Sequence, residues 1–243
     1  LVEKPGSKNL KEMIKIISKV KNSKIKVRVG FNHRYHPSII KAVKIIKSGI
    51  IGKPMYLRAR YGHGGRPSYE KEWRSKPSIS GGGELIDQGS HLIDLSRLFL
   101  GEFSEVNGFI NTYFWKMPVE DNAFLTLKTS SNKIAFLHVS WTEWKNIFSF
   151  EIFCSHGKLD ISGMGGSYGK EQLILYKMTK KMGIPKEKKW KFKSQDISWK
   201  NEINEFYDDI ICNRKPKANL NDAYQTLKII NKIYKDSKYD YFT

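Results

Sequence analysis

Cysteine is nearly absent from this sequence: Cys154 and Cys212 are the only two, they lie far apart, and they form no CxxC pair. That excludes a disulfide framework and a thiolate metal site, and it matches a reducing, cytoplasmic compartment. Arginine is scarce too, with 8 Arg against 35 Lys in 243 residues, although the formal charge reaches +19 and the pI about 9.7. Base reading and phosphate clamping lean on Arg. The lysines are instead scattered through KEMIKIISKVKNSKIKV, KAVKIIKSG, KKMGIPKEKKWKFK and the C-terminal helix. They read as solvated helix faces, so neither nucleic acid nor membrane is expected as a partner. No stretch approaches 18 uncharged apolar residues, which excludes a long apolar transmembrane helix. The opening LVEKPGSKNL has no signal-like apolar region and no initiator Met. The chain therefore reads as cut from something longer.

What is present is enough for a large core: 40% hydrophobic and 13% aromatic residues. LVEKP reads as the end of a buried strand. Leu10, Met13, Ile14, Ile17 and Val20 have helical spacing, with Ser7 as N-cap, and Ile25, Val27, Val29 and Phe31 alternate as a strand. Residues 1–32 thus resemble the tail of a βαβ unit. A helix at about 38–48 closes at Gly49, MYLRARYGH is a short strand, and a long polar loop leads to one helix over 84–100. From about 105 to 193 the pattern changes to strands, in EVNGFINTYFW, DNAFLTLKT, KIAFLHVSWTE, IFSFEIFCS, GKLDISG and QLILYKM. Two helices end the chain. The expected fold class is α+β: an α/β remnant, then a large, mostly antiparallel open sheet packed on helices. The aromatic runs NTYFW and SWTEW suggest that its open face joins copies of the chain into a homo-oligomer.

The chemistry gathers in SGGGELIDQGSHLIDLSRLFLG. Leu85, Ile86, Leu92, Ile93, Leu95, Leu98 and Phe99 can form a buried face, yet Asp87 and His91 stand four apart on another stripe, with Asp94. A carboxylate within reach of an imidazole fixes its tautomer and lets it move a proton near neutral pH. Gly81, Gly82 and Gly83 leave room for a ligand at the N–H groups of the helix start. Lys4, in EKP, sits at a strand end, where α/β sheets place their crevice. FNHRYHP offers Asn32 and Arg34 at another strand end, and EKEWR offers Trp73 and Arg74. His33 and His36 lack a third metal ligand in sequence, so a capping or surface role is expected of them. The glycine-rich GMGGSYG, 163–169, reads as a turn between strands.

EKP, VGFNHRYHP, IGKPMYLRARY, EWR, GGGELIDQGSHLIDL and VEDNAFLTLK occur in this order. Together they resemble the glucose-fructose oxidoreductase / inositol dehydrogenase / rhizopine-catabolism (Gfo/Idh/MocA) family. The resemblance implies NAD or NADP as cofactor and a sugar, inositol or nucleotide-sugar substrate. It implies Lys4, Asp87 and His91 as catalytic residues, with His91 taking the hydroxyl proton, Asp87 orienting His91, and Lys4 holding the hydroxyl. It places Glu3, Lys4, Pro5, Asn32, Trp73 and Arg74 near the cofactor, and Lys4, Arg34, His63, Arg66, Asp87 and His91 near the substrate. The expected domains are 1–32, the end of a dinucleotide-binding Rossmann domain, and 33–243, a substrate-binding and oligomerisation domain. One departure stands out: no G-x-G-x-x-G followed by an acidic ribose ligand is present. Residues 1–243 alone are therefore expected to hold NAD(P) weakly. The competing reading is a non-catalytic sugar-binding or assembly protein with the same sheet.

Overall fold

The computed structural model describes residues 1–179, 181–193 and 195–239. It begins with β1 (Val2–Glu3), α1 (Leu10–Val20) and β2 (Val29–Gly30). β1 and β2 pair in parallel, Val2 facing Val29. Asn9, not Ser7, caps α1, accepting the Glu12 N–H at 2.8 Å, while the Ser7 hydroxyl donates to the Asn9 carbonyl. The strand expected over residues 25–31 is cut to two residues; it pairs with a strand that is itself two residues long, while the Val29 N–H bonds to the Ala218 carbonyl at 2.7 Å. β1 is exposed rather than buried.

Next come α2 (Pro37–Lys47) and β3 (Pro54–Gly62), then three helical pieces: α3 (Pro77–Ser80), α4 (Glu84–Asp87) and α5 (Gly89–Leu100). The strands that follow are β4 (Glu105–Asn111), β5 (Asn122–Lys128), β6 (Ile134–Ser140), β7 (Ile147–Cys154), β8 (Gly157–Ser162), β9 (Gln172–Lys177) and β10 (Lys186–Lys191). Helices α6 (Ser198–Ile211) and α7 (Leu220–Asp236) follow. An Asn219–Asp222 capping box starts α7.

Strands β3 to β10 form one sheet in the order β10-β9-β8-β7-β3-β6-β5-β4. Every pairing in it is antiparallel except that of β3 with β6. The sheet is thus larger than the expected 105–193 span, since β3 enters its centre from before the helical segment. Alternation sorts its faces. Leu57, Ala59, Leu125, Leu137, Phe150 and Ile152 point to the buried side, against α2, α5 and α7. The other side carries Tyr56, Phe109 and Phe136 among Arg58, Glu151 and Lys158, with Tyr56 stacked on Phe153 and Phe124 on His138. Trp141 of SWTEW does not join this open face; it is fully buried beside Tyr69. The edge strand β10 carries Lys186, Lys188, Lys189 and Lys191, charges that discourage edge-to-edge pairing.

Candidate active site

The glycines before α4 serve the protein's own packing. A methyl group on Gly82 would overlap the Tyr234 hydroxyl, and one on Gly83 would overlap the Glu120 carbonyl. The N–H groups beyond them are not open to a ligand, contrary to the sequence expectation. The fully buried Glu120 carboxylate accepts from Gly83 N at 3.1 Å and Leu85 N at 3.0 Å, and also receives the Tyr234 hydroxyl at 2.8 Å. A fixed carboxylate already neutralises this helix start.

The helix expected over 84–100 is interrupted at Gln88. His91 N–H bonds to the Gln88 carbonyl at 3.1 Å, three residues back, instead of to Asp87. This frees the Asp87 carbonyl, which takes the Lys4 ammonium at 2.6 Å and the Ser90 hydroxyl at 2.9 Å. The Asp87 carboxylate takes Lys4 as well, Nζ–Oδ1 2.6 Å, and receives Arg74 Nε at 3.2 Å. Burial works against its charge, but Lys4 and then Arg74 outweigh it and hold the carboxyl below its usual range. Asp87 makes no hydrogen bond to His91, so the expectation that it orients the imidazole needs correcting: the helix break turns its carboxylate to the two cations. Glu84, one turn earlier, is fully buried with neither carboxylate oxygen partnered. Burial, then the Asp87 charge, pushes its pKa well up.

His91 lies against another imidazole. Its ring stacks on His33 with centroids 3.7 Å apart and planes at 17°. Burial and then the Lys4 charge lower the His91 pKa well below 6.5; burial and then His91 do the same to His33. A neutral imidazole is the form that can accept a proton. His33 Nδ1 faces Asn32 Oδ1 at 3.1 Å, and Asn32 Nδ2 donates to the Ser198 hydroxyl at 3.0 Å. His36 is buried against Glu171, Nδ1–Oε2 3.1 Å. His36 stands at the N-cap of α2, where its carbonyl accepts the Ile40 N–H at 2.9 Å, but neither His33 nor His36 is on the surface as expected, because β3 and the glycine-rich turn cover this strand end.

Two cavities, of about 500 and about 550 Å3, meet here, and Glu3, Lys4, Arg74 and Asp87 line both. Of the expected cofactor-side residues, Glu3, Lys4, Pro5, Trp73 and Arg74 all line the first, whereas Asn32 lies on the second. Of the expected substrate-side residues, Lys4, His63, Arg66, Asp87 and His91 line the second. Arg34 lines neither. Its guanidinium is spent on buried Asp94, Nε–Oδ2 2.7 Å and Nη2–Oδ1 2.5 Å, and on Asp222 at 3.2 Å. Arg34 is thus a structural ion pair rather than a substrate ligand. His63 Nδ1 accepts from Gly65 N at 2.9 Å, and its pKa falls through burial. Arg66 is tied to Glu72 at 2.6 and 2.7 Å.

Sequence reasoning missed Tyr61, Gln88, Tyr168 and His33 on the second cavity. The turn at 163–169 folds over it: Met164 to Tyr168 line the wall, and the Tyr168 hydroxyl accepts from Gln88 Nε2 at 2.8 Å. A usable signal was the adjacency of Gln88 to Asp87 and of His33 to Asn32. Nothing in GMGGSYG itself says which strand end it will cover.

The fold and site together are those of an α+β domain whose open sheet ends at a lysine–aspartate pair beside a buried imidazole, where two clefts meet. Residues 39–160 match the GFO/IDH/MocA C-terminal domain, and the chain belongs to that family. Levoglucosan dehydrogenase of Pseudarthrobacter phenanthrenivorans is 33% identical over 131 residues, 53% of this chain and 34% of that protein. The scyllo-inositol 2-dehydrogenase (NAD(+)) of Bacillus subtilis is 35% identical over 108 residues, 44% of this chain and 30% of that protein. The matched part is thus about a third of these relatives' length. A solved levoglucosan dehydrogenase, in complex with NADH and levoglucosan, superposes with a TM-score of 0.87 at 21% identity, covering 98% of this chain and 71% of that one. Aldose-aldose oxidoreductase from Caulobacter crescentus, complexed with glycerol, gives 0.81 at 20% identity, covering 97% and 69%. At these identities the structures establish a shared fold.

Proposed function

We propose that this chain is the catalytic, substrate-binding part of an NAD- or NADP-dependent dehydrogenase that moves hydride between nicotinamide and a hydroxyl-bearing carbon of a sugar, inositol or nucleotide sugar. The observation that carries this reading is the meeting of Lys4, Asp87 and His91 at the junction of two cavities. The first cavity suits a flat amide-bearing ring. Buried Trp141 is among its lining residues, and the exposed Trp73 indole stands beside Arg74. Trp73 would cover the ring. When bound, the dinucleotide supplies the hydride acceptor.

Lys4 spends two of its three N–H donors on Asp87 and keeps one for the substrate oxygen. It holds the hydroxyl and offsets the negative charge that develops as the proton leaves. His91, neutral through burial, takes that proton. Asp87 acts as a positioning residue for Lys4. Residues 1–32 fit the end of a dinucleotide-binding domain, and 33–243 a substrate-binding domain whose open sheet face joins copies of the chain. The free cysteines, Cys154 buried and Cys212 exposed, fit a cytoplasmic setting. The test is NAD(P)-linked oxidation of polyols by the protein that carries this chain, with Lys4→Ala and His91→Ala as controls. Polyol binding without turnover in the unsubstituted protein would replace this reading with the binding-protein one.

A further inference from the structure

The turns at one end of the large sheet lie side by side. The Met178 N–H donates to the His156 carbonyl at 3.0 Å, and the His156 N–H donates to the Ile51 carbonyl at 2.8 Å. Lys177, at the end of β9, pairs with Gly157 of β8 and with Lys186 of β10. Three connections thus share this rim: 48–53 between α2 and β3, 155–156 between β7 and β8, and 178–185 between β9 and β10. In sequence the lysines are dispersed, which argues against a membrane partner. The fold gathers Lys47, Lys53, Lys177, Lys181 and Lys186 along this one rim. No Asp or Glu occurs in 44–57, 155–158 or 177–186. Among the described residues, none of these lysines forms an ion pair.

The same rim exposes large apolar side chains. Met182 and Ile184, between β9 and β10, are 79% and 90% exposed, and Ile50 is 47% exposed. Apolar side chains left in water beside unpaired ammonium groups fit an anionic lipid interface, where the former leave water and the latter meet phosphates. Stable attachment to a membrane takes two signals, and an apolar anchor with a basic patch supplies both. A nucleic acid fits less well, because the three connections hold no Arg and no Phe, Trp or Tyr on which a base could stack. Among the described residues, no helix is long and apolar enough to cross a membrane, so the contact is peripheral. The rim also lies away from the catalytic cleft. β3 starts here at Pro54 and runs roughly 25–30 Å to Gly62, and His63, the next residue, lines the second cavity.

We propose that this rim is a docking surface for anionic phospholipid headgroups, with Met182 and Ile184 entering the interface and Lys53, Lys181 and Lys186 meeting the phosphates. The cleft at the other end of β3 then stays open to solvent while the protein sits on the membrane surface. This surface stands independently of the dehydrogenase reading.

The experiment is co-sedimentation of the protein that carries this chain with sucrose-loaded vesicles, either of pure phosphatidylcholine or of phosphatidylcholine and phosphatidylserine in equal parts. A random-sequence duplex DNA is the parallel probe at the same ionic strength. Binding is expected to the mixed vesicles alone and to fall with added salt. Lys181→Gln with Lys186→Gln is expected to weaken it roughly fivefold per lysine removed. Met182→Ser with Ile184→Ser is expected to weaken it roughly tenfold or more. Lys11→Gln with Lys15→Gln removes the same charge from the exposed side of α1 and is expected to leave binding nearly unchanged. The wild-type comparison of the two vesicles needs no variant, so misfolding cannot hide the outcome. Absence of binding to the mixed vesicles overturns the inference. So does an equal loss from the two lysine pairs, which would reduce the effect to net charge. Vesicle binding that the Ser pair leaves intact, with DNA binding that Lys181→Gln and Lys186→Gln weaken, would assign the rim to nucleic acid instead.

Discussion

The Lys4 ammonium grips Asp87 twice, at the backbone carbonyl and at carboxylate Oδ1, 2.6 Å from each. The helix break at Gln88 makes the first contact available and the salt bridge makes the second. One cation from the first ordered strand end thus ties the N-terminal segment to the helix that carries His91.

If the protein that carries this chain is the proposed dehydrogenase, Lys4→Met and His91→Ala are each expected to lower its kcat on the order of 10²–10⁴-fold, the range of general acid–base catalysis. Asp87→Asn keeps the carbonyl contact to Lys4 and loses the ion pairs with Lys4 and Arg74, so its loss is expected to be smaller. Steady-state kinetics and melts on the same samples check this. Near-normal turnover in folded His91→Ala would remove His91 from the reaction.

Stability is expected to fall in mild acid. His33 and His91 have folded pKa values below 6.5, so the unfolded chain binds more protons in that window. Their contribution is complete above about pH 6.5 and is lost as pH falls from there toward the folded values. Thermal melts between about pH 5 and about pH 8 should show this acid loss, and it should be smaller in His33→Phe. An equal loss in wild type and variant would place the acid sensitivity elsewhere.

Glu120→Ala removes the acceptor for two buried N–H groups and the Tyr234 hydroxyl. Stranding buried donors costs about 1–3 kcal/mol each. A loss of several kcal/mol is expected in denaturant titrations, with Glu120→Gln milder because it keeps one acceptor oxygen. A loss under about 1 kcal/mol would show that water replaces the carboxylate.

Arg34→Met leaves the buried Asp94 carboxylate with Arg97 alone, at 4.0 Å, although burial already pushes its pKa above the ordinary value despite Arg34. Breaking a buried pair from one side costs about 3–5 kcal/mol. The expected signature is a large drop in Tm, with KM for the polyol little changed wherever the variant stays folded. A strongly raised KM in folded Arg34→Met would make Arg34 a ligand after all.

Periodicity made the sheet strands legible because one face of each is buried and the other exposed, as in FLTLKT and IAFLHVSW. The place of β3 was not legible, since short-range alternation says nothing about which distant strands it will join. Asp87 and His91 drew attention by their i,i+4 spacing and Lys4 by its place at a strand end, and the family resemblance supplied the roles expected of them. The direction of the Asp87 carboxylate could not, because it depends on one redirected backbone bond at Gln88. The glycine triplet misled for a related reason: small residues signal close approach without naming what approaches, and here it is Glu120 and Tyr234. His33 and Gln88 stood beside chosen residues, and only packing reveals that they line the same cavity.

The pairing of β3 with β6 and β7 also sets when this domain can exist. The chain leaves β3 at Gly62 and does not bring up its neighbours until Ile134 and Ile147. During synthesis the future centre of the sheet waits, unpaired, while the helices that will cover it are already made. Loops this long must close before their contacts repay the entropy, so no leading portion of the chain has a finished core. A cut in the short connection between α5 and β4 would separate the central strand from both partners. Neither piece is then a miniature of the domain, and the site at the end of β3 comes into being only with the last of the sheet.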